Sequence, residues 1–142
     1  MNDRSVVLYV NDNPRPQRLL TSILENYGFE VKTADGALEA IELIRGNSFA
    51  LALLDYQMPE MSGPQLAQEI RGMDPHLPII LISGLSFLPA GELVYVDAHI
   101  GHGSTIEDLT DMMRALMERE STILEAPESV RHKIATFSPG AR

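Results

Sequence analysis

A continuous apolar run at residues 49–54 ends abruptly in the carboxylate of Asp55. Unbroken apolar runs of this length are typical of strands buried on both faces of a parallel sheet. A second such run, 6–10, is followed by Asn11 and Asp12. An isolated acid after a strand is most simply a polar loop residue, but two acids after two strands indicate a site, because ligands bind outside the carboxyl ends of parallel strands. Paired carboxylates there suit a hard divalent cation that binds a phosphate.

Strands and helices are predicted to alternate along the chain. Strands are expected at 5–10, 29–34, 49–54, 79–82 and 98–101, and helices at 14–27, 36–46, about 64–73 and 106–117. Alternating strands and helices imply right-handed crossovers and a parallel sheet. We therefore predict an α/β fold, a flavodoxin-like doubly wound sheet of five strands with flanking helices. The methionines of the last helix are predicted to fill the core.

The helix ends carry capping signals. Asn13 followed by Pro14 predicts the start of the first helix, with Asn as the cap and Pro at the first helical position. Gly28 is expected to close that helix as a C-terminal cap. Asp35 is predicted to cap the second helix.

Composition excludes several classes of protein. The chain has 142 residues, 44% of them hydrophobic, and a net charge of −9, which argues against a nucleic-acid partner. It has no cysteine, so disulfides and thiolate chemistry are excluded. No apolar run approaches the roughly 20 residues that span a bilayer, so no membrane partner is expected. The first strand begins so early that we expect no signal peptide and a cytoplasmic protein.

The chain divides into a folded domain at 1–121 and a C-terminal tail at 122–142. The domain has 18 acids against 8 Lys and Arg, whereas the tail has 2 acids against 3 bases. The apolar residues Val130, Ile134 and Phe137 could form one helical face, so the tail is expected to be flexible or a short helix. We expect it to be dispensable for the fold but to contact a partner.

The three strand ends together resemble the receiver domain of two-component response regulators, over about residues 4–121. The residues that carry the resemblance are Asn11-Asp12 with Asn13-Pro14, Asp55 with Met58-Pro59 and Gly63, and Ser83-Gly84. The resemblance implies that Asp55 is phosphorylated by a sensor histidine kinase or a phosphotransfer protein. It also implies Mg²⁺, or Mn²⁺, held by Asp12, Asp55 and the backbone carbonyl of Gln57. Ser83 would hydrogen-bond the phosphoryl group.

Two positions depart from the family pattern. Asn11 stands where the family most often has an acid that reaches the metal through water, so weakened metal binding is expected. The family's Lys-Pro pair falls on His102 and Gly103. His102 would replace the lysine that bridges to the phosphoryl group. A cis peptide before glycine costs about 2.5–4 kcal/mol, so a trans bond and a different loop path are expected.

The signalling face is also expected to differ. His99 occupies the family's switch-aromatic position, paired with Ser83. His99 and His102 are three residues apart, and this odd spacing on a strand disfavours a shared metal. The span from Ser83 to His102 is shorter than in the family, and Pro89 and Gly91 interrupt helical periodicity. The fourth helix is therefore expected to be shortened or irregular.

Two functions follow from these expectations. The first is a stand-alone receiver that is not an enzyme beyond assisting its own phosphorylation and dephosphorylation, and that signals through an unknown downstream protein. The second is a pseudo-receiver, an interaction module that is never phosphorylated. A homodimer stays an open alternative for the assembly. Enzymes are disfavoured: a dehalogenase-type phosphatase needs an Asp where Gln57 stands, and a dinucleotide-binding fold needs a Gly-rich turn after the first strand.

Overall fold

A computed structural model describes residues 6–85, 88–101 and 103–125; of 119–125 it describes the helical backbone only. The strands are β1 (Val6–Val10), β2 (Glu30–Ala34), β3 (Leu51–Asp55), β4 (Ile79–Ser83) and β5 (Ala98–Gly101). The helices are α1 (Pro14–Asn26), α2 (Ala37–Gly46), α3 (Gly63–Met73) and α4 (Ile106–Glu125). A 3-10 helix, Ala90–Leu93, lies between β4 and β5.

All strand pairs are parallel, in the order β2-β1-β3-β4-β5. The predicted doubly wound, flavodoxin-like sheet is confirmed. The chain reverses its direction of winding between β1 and β3, and the crevice at such a switch point is where ligands bind in these sheets. Asp12 lies just after the end of β1, and Asp55 is the last residue of β3.

Helices cover both faces of the sheet and bury two apolar clusters. One face packs against α2 and α3, whose buried residues are Ala37, Ala40, Ile44, Leu66, Ala67 and Ile70. The other packs against α1 and α4, with Leu24, Leu109, Met113 and Leu116. Met113 is fully buried, while Met112 and Met117 pack against the same cluster, so the methionines fill the core as predicted.

The helix caps agree with the sequence at α1 but not at α2. The Asn13 side chain accepts a hydrogen bond from the Arg15 amide, Pro14 opens the helix, and Gly28 after it has φ +95°. The prediction that Asp35 caps α2 is wrong, because Gly36 is the N-cap and has no capping side chain. The Asp35 carboxylate instead accepts from Gln17 Nε2 at 3.0 Å.

The region between β4 and β5 is irregular, as predicted. Of its described residues, only Ala90–Leu93 are helical, as a single 3-10 turn. At the other end, α4 continues to Glu125, so the predicted boundary at 121 falls inside this helix. The division into domain and tail stays a prediction, and the apolar triad at Val130, Ile134 and Phe137 lies outside the described residues. Across the part of the chain described, no helix is long and apolar enough to cross a membrane.

Candidate functional site

The polar residues that follow β1, β3 and β4 meet at one edge of the sheet. Val10 pairs with Leu54, which brings Asn11 and Asp12 beside Asp55. Asp55 in turn pairs with Ile82, which precedes Ser83. The neighbouring strands therefore bring together four of the residues that the sequence assigned to this edge: Asn11, Asp12, Asp55 and Ser83.

Asp55 is half-buried, while Asp12 is exposed beside it. Burial raises the pKa of the Asp55 carboxyl above its ordinary value, and the negative charge of Asp12 raises it further. Hydrogen bonds from the backbone amides of Tyr56 and Gln57 act in the opposite direction. Two carboxylates thus share this edge at an electrostatic cost that a bound cation would relieve.

Asn11 is buried, with only 6% of its surface exposed, and its amide is held at both ends. Its Oδ1 accepts from the Asn13 amide at 2.9 Å, and its Nδ2 donates to the Tyr9 hydroxyl at 3.0 Å. The side chain therefore has a local structural role at the start of α1. An amide oxygen has a second lone pair, so its contact with a metal through water stays a prediction.

Ser83 is almost fully buried at the end of β4. Its Oγ accepts a hydrogen bond from the Leu85 amide at 2.9 Å, so the hydroxyl supports the loop that follows the strand. A serine hydroxyl can accept one hydrogen bond and donate another. Supporting the loop is therefore compatible with donating to a phosphoryl oxygen, which stays a prediction.

His99 lies on β5 opposite Leu81, so it shares a sheet face with Ser83, two residues further along β4. Its Nε2 is buried without a hydrogen-bond partner among the described residues, and burial lowers the pKa of its imidazole. The switch role of His99 stays a prediction. His102 lies outside the described residues, while Gly103 after it has φ +92°, a conformation that favours glycine.

A pocket of about 610 Å³ opens at this edge. It is lined by Asp12, Tyr56, Gln57, Met58, Pro59 and Ser62. The loop that forms much of its wall is fixed by a reciprocal cap on α3, because the Ser62 hydroxyl accepts from the Gln65 amide while the Gln65 side chain accepts from the Ser62 amide. This loop follows directly on β3, and the cap anchors its far end at Ser62.

The donor set at this edge fits a hard cation. Asp12 and Asp55 supply carboxylate oxygens, and Gln57, which lines the pocket, has a backbone carbonyl to add. No group of three or more His, Asp or Glu side chains that could hold a metal occurs among the described residues. The available ligands therefore predict a site with two carboxylates, consistent with the weak binding expected from Asn11.

Three residues at or near this site, Tyr9, Tyr56 and Glu92, were not among the candidates predicted from the sequence. Tyr9 and Asn11 are separated by one residue, so their side chains lie on the same side of the strand. That spacing could have indicated the contact between them. Tyr56 follows Asp55, and its hydroxyl donates to Glu92 at 2.9 Å. No local pattern links residues 36 positions apart, so this contact could not be read from the sequence.

Residues 7–95 match the model of the response regulator receiver domain. The chain belongs to this family. The matched part includes Asp12, Asp55 and Ser83, and it ends before His99 and His102.

Curated relatives match over part of their length. The chain is 37% identical over 79 residues to the sensor histidine kinase RcsC of Escherichia coli, covering 56% of this chain and 8% of that protein. It is 40% identical over 77 residues to the transcriptional regulatory protein SrrA of Staphylococcus aureus, covering 54% and 32%. The chain thus spans at most about a third of the length of these relatives.

Solved structures match more fully. A CheY-like response regulator receiver domain protein of Methanospirillum hungatei has a TM-score of 0.76 and 25% identity, covering 83% of this chain and 97% of that one. The response regulator protein TrrA of Thermotoga maritima, solved in complex with Mg(2+)-BeF, has a TM-score of 0.74 and 27% identity, covering 82% and 99%. The fold of the chain is that of a whole receiver domain.

Proposed function

We propose that this chain is a phosphorylation-dependent receiver in which Asp55 accepts a phosphoryl group from a histidine kinase or a phosphotransfer protein. The observation that carries the proposal is the position of Asp12 beside Asp55 at the switch point of the sheet. The membership of the chain in the receiver family supports it. Among the relatives, RcsC is a sensor histidine kinase and SrrA a transcriptional regulatory protein, so a kinase partner is consistent with them.

The chemistry is a phosphoryl transfer to a carboxylate. An Asp55 oxygen attacks phosphorus, the bond from phosphorus to the donor's nitrogen or oxygen breaks, and the donor leaves with its electron pair. Asp55 ends β3 and is half-buried beside Asp12 at this edge. Positioning and charge neutralisation account for most of the catalysis in such reactions.

Asp12, Asp55 and the Gln57 carbonyl would hold Mg²⁺ or Mn²⁺. Such a cation, when bound, neutralises the negative charge that the two carboxylates and the phosphoryl group bring together. The Ser83 hydroxyl would donate to a phosphoryl oxygen while it accepts from the Leu85 amide. Signalling then passes to a downstream protein.

Mass spectrometry after incubation with acetyl phosphate and Mg²⁺ tests the proposal. We expect an addition of about 80 Da located at Asp55 and absent from Asp55→Asn. Asp111→Asn, which changes an exposed carboxylate on α4, is the matched control and should still be modified. No addition to the parent chain under any phosphodonor would favour the pseudo-receiver instead.

A calorimetric titration with Mg²⁺ tests the metal site separately. Asp12→Ala is expected to weaken binding because it removes one of two charged ligands. Equal affinity of the parent and Asp12→Ala would show that the cation binds elsewhere or not at all.

A further inference from the structure

The residue next to the phosphoryl acceptor is tied to a distant segment of the chain. The Tyr56 hydroxyl donates a hydrogen bond of 2.9 Å to Glu92 Oε1, in a partly buried setting. Glu92 belongs to the 3-10 helix Ala90–Leu93, in the irregular segment between β4 and β5. This contact therefore connects the end of β3 with the segment between β4 and β5.

The backbone of Tyr56 is fixed more firmly than its side chain. Its amide donates to the Ile82 carbonyl and its carbonyl accepts from the Gly63 amide, both at 2.8 Å. The side chain is half-buried, and Tyr56 lines the pocket at the site. The ring packs against the core cluster on the α2 and α3 face, and the hydrogen bond from its hydroxyl to Glu92 adds a second restraint on its position.

The hydrogen bond depends on a short segment, because Glu92 belongs to a single 3-10 turn. Among the described residues, Glu92 has no ion pair that would fix it independently. The segment packs inward through Leu88, Leu93 and Val96, while Val94 and Tyr95 are exposed. A single 3-10 turn with exposed neighbours has low local stability.

We propose that Glu92 is a positioning residue for the chemistry of Asp55. By holding the Tyr56 ring against the pocket wall, Glu92 limits the access of water to the aspartyl phosphate and lengthens its lifetime. The inference rests on the proposed function, because it concerns the loss of a phosphoryl group from Asp55.

A double-mutant cycle on the aspartyl phosphate lifetime tests the proposal. Tyr56→Phe and Glu92→Ala each remove the hydrogen bond, and each is expected to shorten the lifetime about three- to ten-fold. The double variant should be no faster than either single variant, because both act through one contact. Glu92→Gln keeps an acceptor oxygen and should restore a lifetime near that of the parent.

Tyr27→Phe is the matched control. It removes another tyrosine–glutamate hydrogen bond, of 2.7 Å to Glu107, in the α1 and α4 layer, and should leave the lifetime unchanged. If the aspartyl phosphate of both Tyr56→Phe and Glu92→Ala has the same lifetime as in the parent, the inference is overturned but the proposed function is not. Additive effects in the double variant would have the same consequence. A parent chain that is never phosphorylated would overturn both. Circular dichroism establishes that each variant is folded.

Discussion

Gly63 lies directly against the backbone of Asp55. A Cβ atom at position 63 would lie 2.5 Å from the Asp55 carbonyl oxygen and 2.5 Å from Leu81 Cδ1. The Gly63 amide also donates to the Tyr56 carbonyl at 2.8 Å. The start of α3 therefore lies so close to the end of β3 that only glycine fits at position 63.

Gly63→Ala is expected to lower the free energy of unfolding by about 1–3 kcal/mol, because backbone at Asp55 cannot move aside without disturbing the sheet. Gly72→Ala, in the same helix and with nothing within 4 Å of its added Cβ, should raise it by about 0.5–1 kcal/mol. Urea unfolding of both variants checks the pair. An equal change in the free energy of unfolding of the two variants would contradict the close approach of Gly63 to Asp55.

Asp55→Asn should stabilise the metal-free fold at neutral pH. The pKa of Asp55 is raised above its ordinary value of 3.8 in the folded chain, so protonation of its carboxyl favours the folded state. This stabilisation is fully present below pH 3.8 and is lost as the pH rises through the folded-state pKa. At pH 7 the ionised carboxyl therefore costs stability. Removing it should gain about 0.5–1 kcal/mol, a modest value because solvent screens a half-exposed charge.

Urea unfolding in EDTA at pH 7, and again near about pH 3.5, measures this difference. The gain of Asp55→Asn over the parent should shrink at the lower pH, because the Asp55 carboxyl becomes increasingly protonated there. A gain that grows on acidification would mean that the carboxylate is stabilised in the fold, contrary to its environment.

Asn11→Asp is expected to lower the stability of the metal-free fold and to raise the affinity for Mg²⁺. The carboxylate keeps the acceptor for the Asn13 amide but loses the donor to the Tyr9 hydroxyl, and it adds a third negative charge beside Asp55. Without metal, we expect a loss of about 1–3 kcal/mol. Mg²⁺ should raise the melting temperature of Asn11→Asp more than that of the parent.

Tyr9→Phe separates the two causes in Asn11→Asp. It removes the same hydrogen bond from the Asn11 Nδ2 without adding charge, so it should lower stability with no gain in the Mg²⁺ response. An equal Mg²⁺ response in the parent and Asn11→Asp would mean that position 11 does not face the cation.

Arg114→Ala should loosen the attachment of α4. The Arg114 guanidinium donates to the Tyr27 carbonyl at 3.0 Å and lies 4.9 Å from the centre of the Phe29 ring. Its loss should lower the free energy of unfolding by about 1 kcal/mol. Arg45→Ala breaks an exposed pair of 3.8 Å with Glu42 and should change stability by less than about 0.5 kcal/mol. Denaturant unfolding compares the two, and a larger loss at Arg45 would contradict this ranking.

The sequence by itself determined the order of the elements and the edge at which the site lies. Continuous apolar runs at β1, β3 and β4 require burial on both sheet faces, and buried parallel strands align their carboxyl ends. Asn13, Pro14 and Gly28 mark the ends of α1 by local chemistry alone. These features depend on neighbours in the chain, so they can be read without a structure.

Only the tertiary structure decided how the polar groups are used. Asp35 has the chemistry of a helix cap, yet its carboxylate accepts from Gln17, brought near by the β1–β2 pairing. The Asn11 amide is orientated by Tyr9, and Tyr56 reaches Glu92 across 36 residues. Such contacts depend on strand register and on the path of the β4–β5 connection, because a hydrogen bond forms only within about 3.5 Å. Spacing in the sequence does not fix distances on that scale between separate elements.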